Sequence, residues 1–340
     1  MIEDAIAERA FPAASIEVGT ANGVLWRDAL GKLTFDPDAR PAAEDTIFDL
    51  ASLTKVLATA PLLMQQVERG VFGLDDPVSR HIAEWRGVDR ADATLRDLLS
   101  HAAGLPAWRP YFRQLRGQMA YTTAICAEAL EYAPRSMSIY SDLGFMLLGF
   151  MLEQEGALAD RFAAMLAQMN VVEEIQFHPP VHWRARIAPT EDDVWRGHVL
   201  VGEVHDENTS ALGGVAGQAG LFGTAAAVGS CARHVLQVLS GRTGAFARST
   251  LETFVTRRPG VPGSSRALGW DTMLPTSSCG ARLSSRAFGH TGFTGTSLWL
   301  DPEQDVYVAF LTNRVHPTRT NEAIRRVRPA LHDAVIADLA

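Results

Sequence analysis

The chain has 340 residues, 47% of them hydrophobic and 21% charged, and a formal net charge of −8. That length suits one large domain or two interlocked ones around a substantial core, and the composition excludes a disordered chain. The acidic balance excludes the basic stripe of a nucleic-acid binder, and no apolar run approaches the ~18 residues of a membrane span.

Residues 1–9 read as an acidic amphipathic helix, without the basic end and apolar stretch of a secretory signal. On that reading the protein is cytoplasmic as given, or periplasmic if a leader has been removed. An apolar strand at 13–20 leads to Asn22-Gly23, a hairpin signal, and Val24–Leu30 returns as its partner. After a polar loop with Pro37 and Pro41 comes Thr46–Leu53. A helix of about 16 residues is expected from Thr54, with Val56, Leu57, Ala60, Leu63, Met64 and Val67 on one face, stopped by Gly70 and Gly73.

From 75 to 260 the pattern is mainly helical, with helices expected at 94–101, 122–132, 141–155, 157–169 and 225–240. The period then changes. Ala267–Leu274, Ser297–Asp301 and Val306–Thr312 read as strands, and 320–338 as a closing helix with Ile324, Val327, Leu331 and Val335 in line. The expected fold class is α/β: an antiparallel sheet flanked by helices, formed by both termini (residues 1–75 and 262–340), with a mostly helical domain inserted at 76–261.

Three cysteines, Cys126, Cys231 and Cys279, are odd in number and lack metal-ligand spacing, so neither a disulfide framework nor a metal site is expected. The prolines of His178-Pro-Pro-Val-His182 prevent the helical spacing a zinc helix needs. No cofactor, no nucleic acid and no obligate protein partner is expected; the partner is a small-molecule or peptide substrate. Trp85, Trp108, Trp183 and Trp195 are expected in the core, and His101 and His205 as hydrogen-bonded structural residues.

Only two of the 31 cationic residues are lysines, Lys32 and Lys55, so a lysine inside a motif carries weight. Ser52-Leu53-Thr54-Lys55 sits where a loop becomes a helix. There the serine hydroxyl projects near free backbone N–H groups, and Lys55, one turn along, can reach it. A serine hydroxyl is a poor nucleophile until a neighbouring base takes its proton, and a lysine can do so if burial and nearby cations lower its pKa. Taken alone, the pattern fits a helix cap and a surface lysine equally well. Tyr140-Ser141-Asp142 opens a second helix, and His290-Thr291-Gly292 lies among strand-like segments. No Gly-x-Ser-x-Gly occurs, which disfavours a nucleophile-elbow hydrolase.

These three motifs, in this order, resemble those of the serine β-lactamases, the low-molecular-mass penicillin-binding proteins and their esterase relatives. The resemblance spans nearly the whole chain. It includes Phe48-Asp49-Leu50-Ala51, Leu98-Leu99-Ser100-His101-Ala102-Ala103-Gly104-Leu105-Pro106, Gly289 to Thr296 and Leu311-Thr312-Asn313-Arg314. It implies Ser52 as nucleophile, Lys55 and Tyr140 sharing the proton transfers, and His290 in the third-motif position. The same resemblance implies an oxyanion hole from the backbone N–H groups of Ser52 and Phe293, and substrate contacts from Asp142, Thr291 and Gly292.

Two departures stand out. Asp142 replaces an asparagine, exchanging a group that can donate for one that, ionised, only accepts; it is expected to bind substrate, hold Lys55 charged or cap its helix. His290 replaces a lysine, removing a permanent cation, so recognition of a substrate carboxylate is expected to lean on Arg314. The segment Gly202–Asn208, followed by Gly213–Thr224, looks like one in D-alanyl-D-alanine carboxypeptidase-like members; it is expected either to approach substrate or to pack beneath the site. The expected function is a serine hydrolase forming an acyl-enzyme on Ser52, acting on a D-amino-acid peptide or a small ester. The alternatives are a penicillin-recognising sensor that does not turn over, or a weak β-lactamase.

Overall fold

The computed structural model describes residues 1–339. Its helices are α1 (Ile2–Ala7), α2 (Ala60–Glu68), α3 (Leu95–Leu99), α4 (Gln118–Ala127), α5 (Asp142–Glu153), α6 (Leu158–Met169), α7 (Glu207–Ala211), α8 (Ala225–Leu239), α9 (Arg248–Val255) and α10 (Ile324–Leu339). The N-terminal strands are β1 (Ala13–Thr20) and β2 (Gly23–Gly31), followed by β3 (Phe48–Asp49), β4 (Ile175–Phe177), β5 (Asp192–Asp193), β6 (His198–Val199) and β7 (Leu221–Gly223). The C-terminal strands are β8 (Asp271–Thr272), β9 (Phe288–Thr291), β10 (Ser297–Asp301) and β11 (Val306–Thr312).

Both ends of the chain build one six-stranded sheet in the order β2-β1-β11-β10-β9-β8, with every neighbouring pair antiparallel. Alternation along the strands divides the core between its two faces. Val306, Val308 and Phe310 of β11 join Ala14, Ile16 and Val18 of β1 in a cluster with residues of α1 and α10. Tyr307, Ala309 and Leu311 belong to the opposite cluster, with Val228, Val235 and Leu236 of α8. A strand covered on both faces must be apolar at nearly every position, as β11 is. Helix α8 packs on β1 and β11, so this part of the expected insert belongs with the sheet.

Helix α5 is the buried axis of the helical region. Leu143 to Leu152 are all buried, as an all-apolar helix requires, and each large side chain contributes about 1.5–3 kcal/mol by leaving water. A small antiparallel sheet, β3-β7-β4, ties the segment before Ser52 to the helical region.

Several expectations need correction. The hairpin turn is Ala21–Asn22, because Thr20 pairs with Gly23 and Gly23 opens β2. The helix after Ser52 is not one uniform α-helix. Residues Ala51–Leu53 form a 3₁₀ turn and Lys55–Thr59 a π turn, and regular α geometry starts only at Ala60. The strand expected over Ala267–Leu274 shrinks to Asp271–Thr272, because Gly269 adopts a left-handed φ of +88°. Helix 122–132 lies earlier, at Gln118–Ala127, the closing helix starts at Ile324, and α9 was not anticipated. Trp85 and Trp183 are buried, whereas Trp108 and Trp195 are exposed.

Candidate active site

The nucleophile turn is held from below. Asp49, at the end of β3, is buried; its carboxylate accepts hydrogen bonds from Ala51 N at 2.8 Å and His205 N at 2.6 Å. Burial raises the Asp49 pKa, and those two bonds oppose the rise without cancelling it. Ala51 then takes a left-handed φ of +46°, unusual for a residue with a side chain, immediately before Ser52. The π turn that follows widens the first helical turn, a distortion often found at functional sites.

Lys55 is fully buried. Its Nζ donates to Ser52 Oγ at 3.0 Å, to Asp142 Oδ1 at 2.7 Å and to the Gln218 carbonyl at 3.1 Å. Burial pushes the ammonium pKa down, but Asp142 and then Tyr140 push it up and prevail, so Lys55 titrates above its ordinary value. The Asp142 carboxyl is pushed up by burial against the pull of Lys55. About a fifth of its side chain (19%) stays open to solvent, with the Lys55 Nζ at 2.7 Å. Asp142 thus pairs with Lys55, while the cap of α5 is Ser141, whose side chain accepts from Gly144 N.

Tyr140 lies against Lys55, whose Nζ is 4.9 Å from the ring centroid. Its hydroxyl oxygen is buried beside the Lys55 and Ser52 side chains without a regular hydrogen bond to either. Burial raises the phenol pKa, although Lys55 favours its ionised form. His101 and His290 flank the ring, with centroids at 4.6 and 5.6 Å. His101 Nδ1 accepts from Ser141 N at 3.0 Å, so any proton on the neutral ring is on Nε2. Burial, with help from Arg266 and Lys55, drives both imidazoles well below their ordinary pKa. His290 therefore supplies no cation at neutral pH. Its Nδ1 lies 2.8 Å from the Thr291 carbonyl, and its Nε2 has no partner.

The third motif is keyed to the nucleophile turn through residues that sequence reasoning missed. Thr294 and Thr296 donate their hydroxyls to the carbonyls of Asp49 and Leu50, at 2.7 and 3.0 Å. A Cβ on Gly292 would lie 2.6 Å from the Leu50 carbonyl and 2.0 Å from Thr296 Oγ1, so only glycine permits this approach. Arg328 of α10 donates to the Gly292 and Thr296 carbonyls at 3.0 and 2.9 Å. Burial, with Arg314 nearby, lowers its pKa to about 9. The repeated Thr-x-Thr just past Gly292 was the available signal; Arg328, 36 residues on from Gly292, gave none.

Ser52, Tyr140, Asp142, His290, Thr291, Gly292, Phe293 and Arg314 all line one cavity of about 810 Å³, joined by Trp108, His205, Gln218 and Arg266. The Gly213–Thr224 segment packs beneath the site and also borders the cavity. Gly217 and Gln218 accept from Thr59 and Lys55 beneath the site, while Gln218 and Ala219 reach the cavity wall. Arg314 is largely committed elsewhere: it donates to the carbonyls of Phe293, Arg319 and Asn321 and stacks on Phe293 at 4.5 Å. Among the described residues no group of three or more His, Cys, Asp or Glu is placed to hold a metal ion, and no helix is long and apolar enough to cross a membrane.

The chain resembles known proteins along nearly its whole length. A protein of Salmonella gallinarum named "Putative D-alanyl-D-alanine carboxypeptidase" is 31% identical over 326 residues, covering 83% of this chain and 73% of that protein. Two solved structures share the fold at lower identity. A class C beta-lactamase from Rhodobacter sphaeroides is 19% identical with a TM-score of 0.76, covering 100% of this chain and 98% of the other. EstCE1, described as a hydrolase with promiscuous acyltransferase activity, is 21% identical with a TM-score of 0.73, covering 96% of each chain. The beta-lactamase family model matches residues 1–332, and with the antiparallel sheet and helices described above the chain belongs to the beta-lactamase family of serine hydrolases.

Proposed function

We propose that this hydrolase works through an acyl-enzyme on Ser52 and acts on a D-amino-acid peptide or a small ester. The observation that carries the reading is the 3.0 Å contact between Lys55 Nζ and Ser52 Oγ at the wall of an open cavity. Ser52 Oγ attacks the substrate carbonyl as its proton leaves toward Lys55 or Tyr140. The developing oxyanion is received by the backbone N–H groups of Ser52 and Phe293, fixed by the Asp49, Thr294 and Thr296 contacts. The leaving nitrogen or oxygen takes a proton from the same pair as its bond to the carbonyl carbon breaks. Water then attacks the ester on Ser52, its proton returning to Ser52 Oγ through the same groups.

Because Asp142 holds Lys55 as an ammonium, the neutral amine that can accept the Ser52 proton is populated only as pH rises. A neutral His290 and a committed Arg314 weigh against an efficient β-lactamase. The test is intact-mass analysis of wild type and Ser52→Ala after exposure to a penicillin, a D-alanyl-D-alanine phosphonate and a short-chain activated ester. A covalent adduct on wild type alone is expected, and the reagent that labels fastest separates peptidase from esterase. An acyl adduct from the ester that forms on Ser52 but is never released identifies a sensor; no adduct and no turnover would overturn the catalytic assignment of Ser52.

A further inference from the structure

The buried Tyr140 hydroxyl makes no regular hydrogen bond of its own, so its direction is set by what holds the backbone and the ring. Much of that falls to one residue. His101 is buried, follows α3 and takes a left-handed φ of +55°, a conformation in which helices more often end on glycine or asparagine. From there its carbonyl accepts from Ile139 N at 3.1 Å and its Nδ1 from Ser141 N at 3.0 Å. The two bonds bracket Tyr140, one residue to either side. The imidazole also packs on the Tyr140 ring, with centroids 4.6 Å apart, and has Phe145 at 5.1 Å. Tyr132 braces the arrangement, since its hydroxyl donates to the same His101 carbonyl at 2.8 Å and accepts from Ile139 N at 3.1 Å. Further along, Ser141 Oγ donates to the Pro106 carbonyl at 2.6 Å and Asp142 N to the Ala107 carbonyl at 2.9 Å. Among these bonds between 101–107 and 139–142, the one to Nδ1 alone depends on a side chain of the first segment.

We propose that His101 is a positioning residue for the acyl transfer: it aims the Tyr140 hydroxyl at Ser52 and Lys55 by fixing the backbone on both sides of Tyr140 and packing on its ring. This rests on the acyl-transfer reading above, in which Tyr140 shares the proton transfers. His101 itself does not line the cavity, so it acts only through Tyr140. Proton transfer needs its two heavy atoms within about 2.6–3.2 Å, and a hydroxyl anchored by no hydrogen bond stays in that range only if its ring is held. The bond from Ser141 N needs a bare ring nitrogen at Nδ1, because a protonated ring would present a second donor there. Burial, Arg266, Lys55 and His290 all oppose that charge, so the acceptor persists.

A double-mutant cycle with Tyr140→Phe tests this, read as the rate at which an activated ester acylates Ser52. His101→Phe keeps a ring against Tyr140 and Phe145 but has no acceptor for Ser141 N. In the parent it is expected to slow acylation on the order of 10- to 100-fold, the scale of a ~1 Å misplacement. His101→Asn keeps a side-chain acceptor and suits the left-handed backbone, so its loss should be smaller. In the Tyr140→Phe background both substitutions should change the rate by less than about twofold, because the hydroxyl they position is gone. Should His101→Phe fail to fold, the asparagine variant closes the cycle alone, its smaller loss vanishing with the hydroxyl. A residue that only supports the fold slows both backgrounds alike, so equal losses, or no loss from either variant in the parent, would overturn the proposal. A Tyr140→Phe protein that acylates as fast as the parent would instead remove the assignment of Tyr140 on which the proposal stands.

Discussion

Lys55 Nζ stands 2.7 Å from Asp142 Oδ1 and 3.0 Å from Ser52 Oγ, so one buried ammonium is shared between a carboxylate and the candidate nucleophile. The acceptor-only carboxylate favours the charged lysine, whereas an amide at position 142 would remove the main group opposing burial's downward push on the Lys55 pKa. The substitution that sets this chain apart from its family's second motif therefore acts first on the lysine.

Replacing Asp142 by Asn tests that link. Asp142 is the main group raising the Lys55 pKa against burial, so its removal lowers that pKa. The neutral amine then appears at lower pH, and the acid limb of kcat/KM for an activated ester is expected to move down the pH axis. A limb that stays in place in D142N would mean that another group sets it.

Tyr140→Phe separates chemistry from stability. The phenol oxygen makes no regular hydrogen bond in the fold, so its loss leaves no partner unsatisfied and removes a buried orphan hydroxyl. Melting temperature is expected to hold or rise, while acylation falls about 10²- to 10⁴-fold, the range for general acid–base catalysis. A marked drop in melting temperature with little change in acylation rate would assign Tyr140 to the scaffold.

Much of this arrangement was legible in the sequence because it follows from periodicity and local motif spacing. β11 declares itself by a two-sided apolar run, α5 by an apolar stretch that Ser141 caps, and the three motifs by order. What could not be read depends on distant chain segments meeting. The π turn at Lys55–Thr59 sits where Thr59 and Lys55 bond the Gly217 and Gln218 carbonyls, 158 and 163 residues away, contacts that no local pattern announces. Arg266 lies in no motif, and Arg314 looked available until its guanidinium was found on three carbonyls. Trp108 was assigned to the core by residue type, yet it is 39% exposed and lines the cavity.

Gly217→Ala tests how tightly the site is keyed to the helical region. An added Cβ would lie 2.1 Å from the Phe145 carbonyl and 2.9 Å from Gly149 Cα, and both obstacles are backbone. Relief requires the 216–218 segment to move off α5, at a cost of about 1–3 kcal/mol, and it carries the Gln218 carbonyl away from Lys55. Both stability to urea and ester turnover are expected to fall. Thr59→Val, which deletes only the 2.6 Å bond to Gly217 O, should cost about 1 kcal/mol with a smaller loss of turnover. Equal effects of the two would mean that the close packing of Gly217 contributes nothing beyond that hydrogen bond.

Glu191 gives a charge whose contribution can be followed by pH. Its carboxylate lies 2.9 Å from His205 Nε2 and accepts from Arg319 Nε at 2.6 Å and Arg319 N at 3.0 Å. Burial pushes its pKa up, but these hydrogen bonds pull it below the ordinary 4.5, to about 2. A carboxyl depressed in the folded state stabilises the fold fully above its unfolded pKa and loses that contribution as pH falls toward its folded one. Glu191→Gln is therefore expected to cost about 1–2 kcal/mol above pH 5, once solvent screening is allowed for. In urea unfolding the gap between wild type and variant should close between about pH 4.5 and 2. A gap of constant size across that window would mean that Glu191 acts by shape and hydrogen bonding alone. Because His205 stacks on Phe293 with centroids 5.5 Å apart, the same variant should also loosen the proposed oxyanion-hole residue. Ester kcat is then expected to fall even at pH 7, where the fold remains intact.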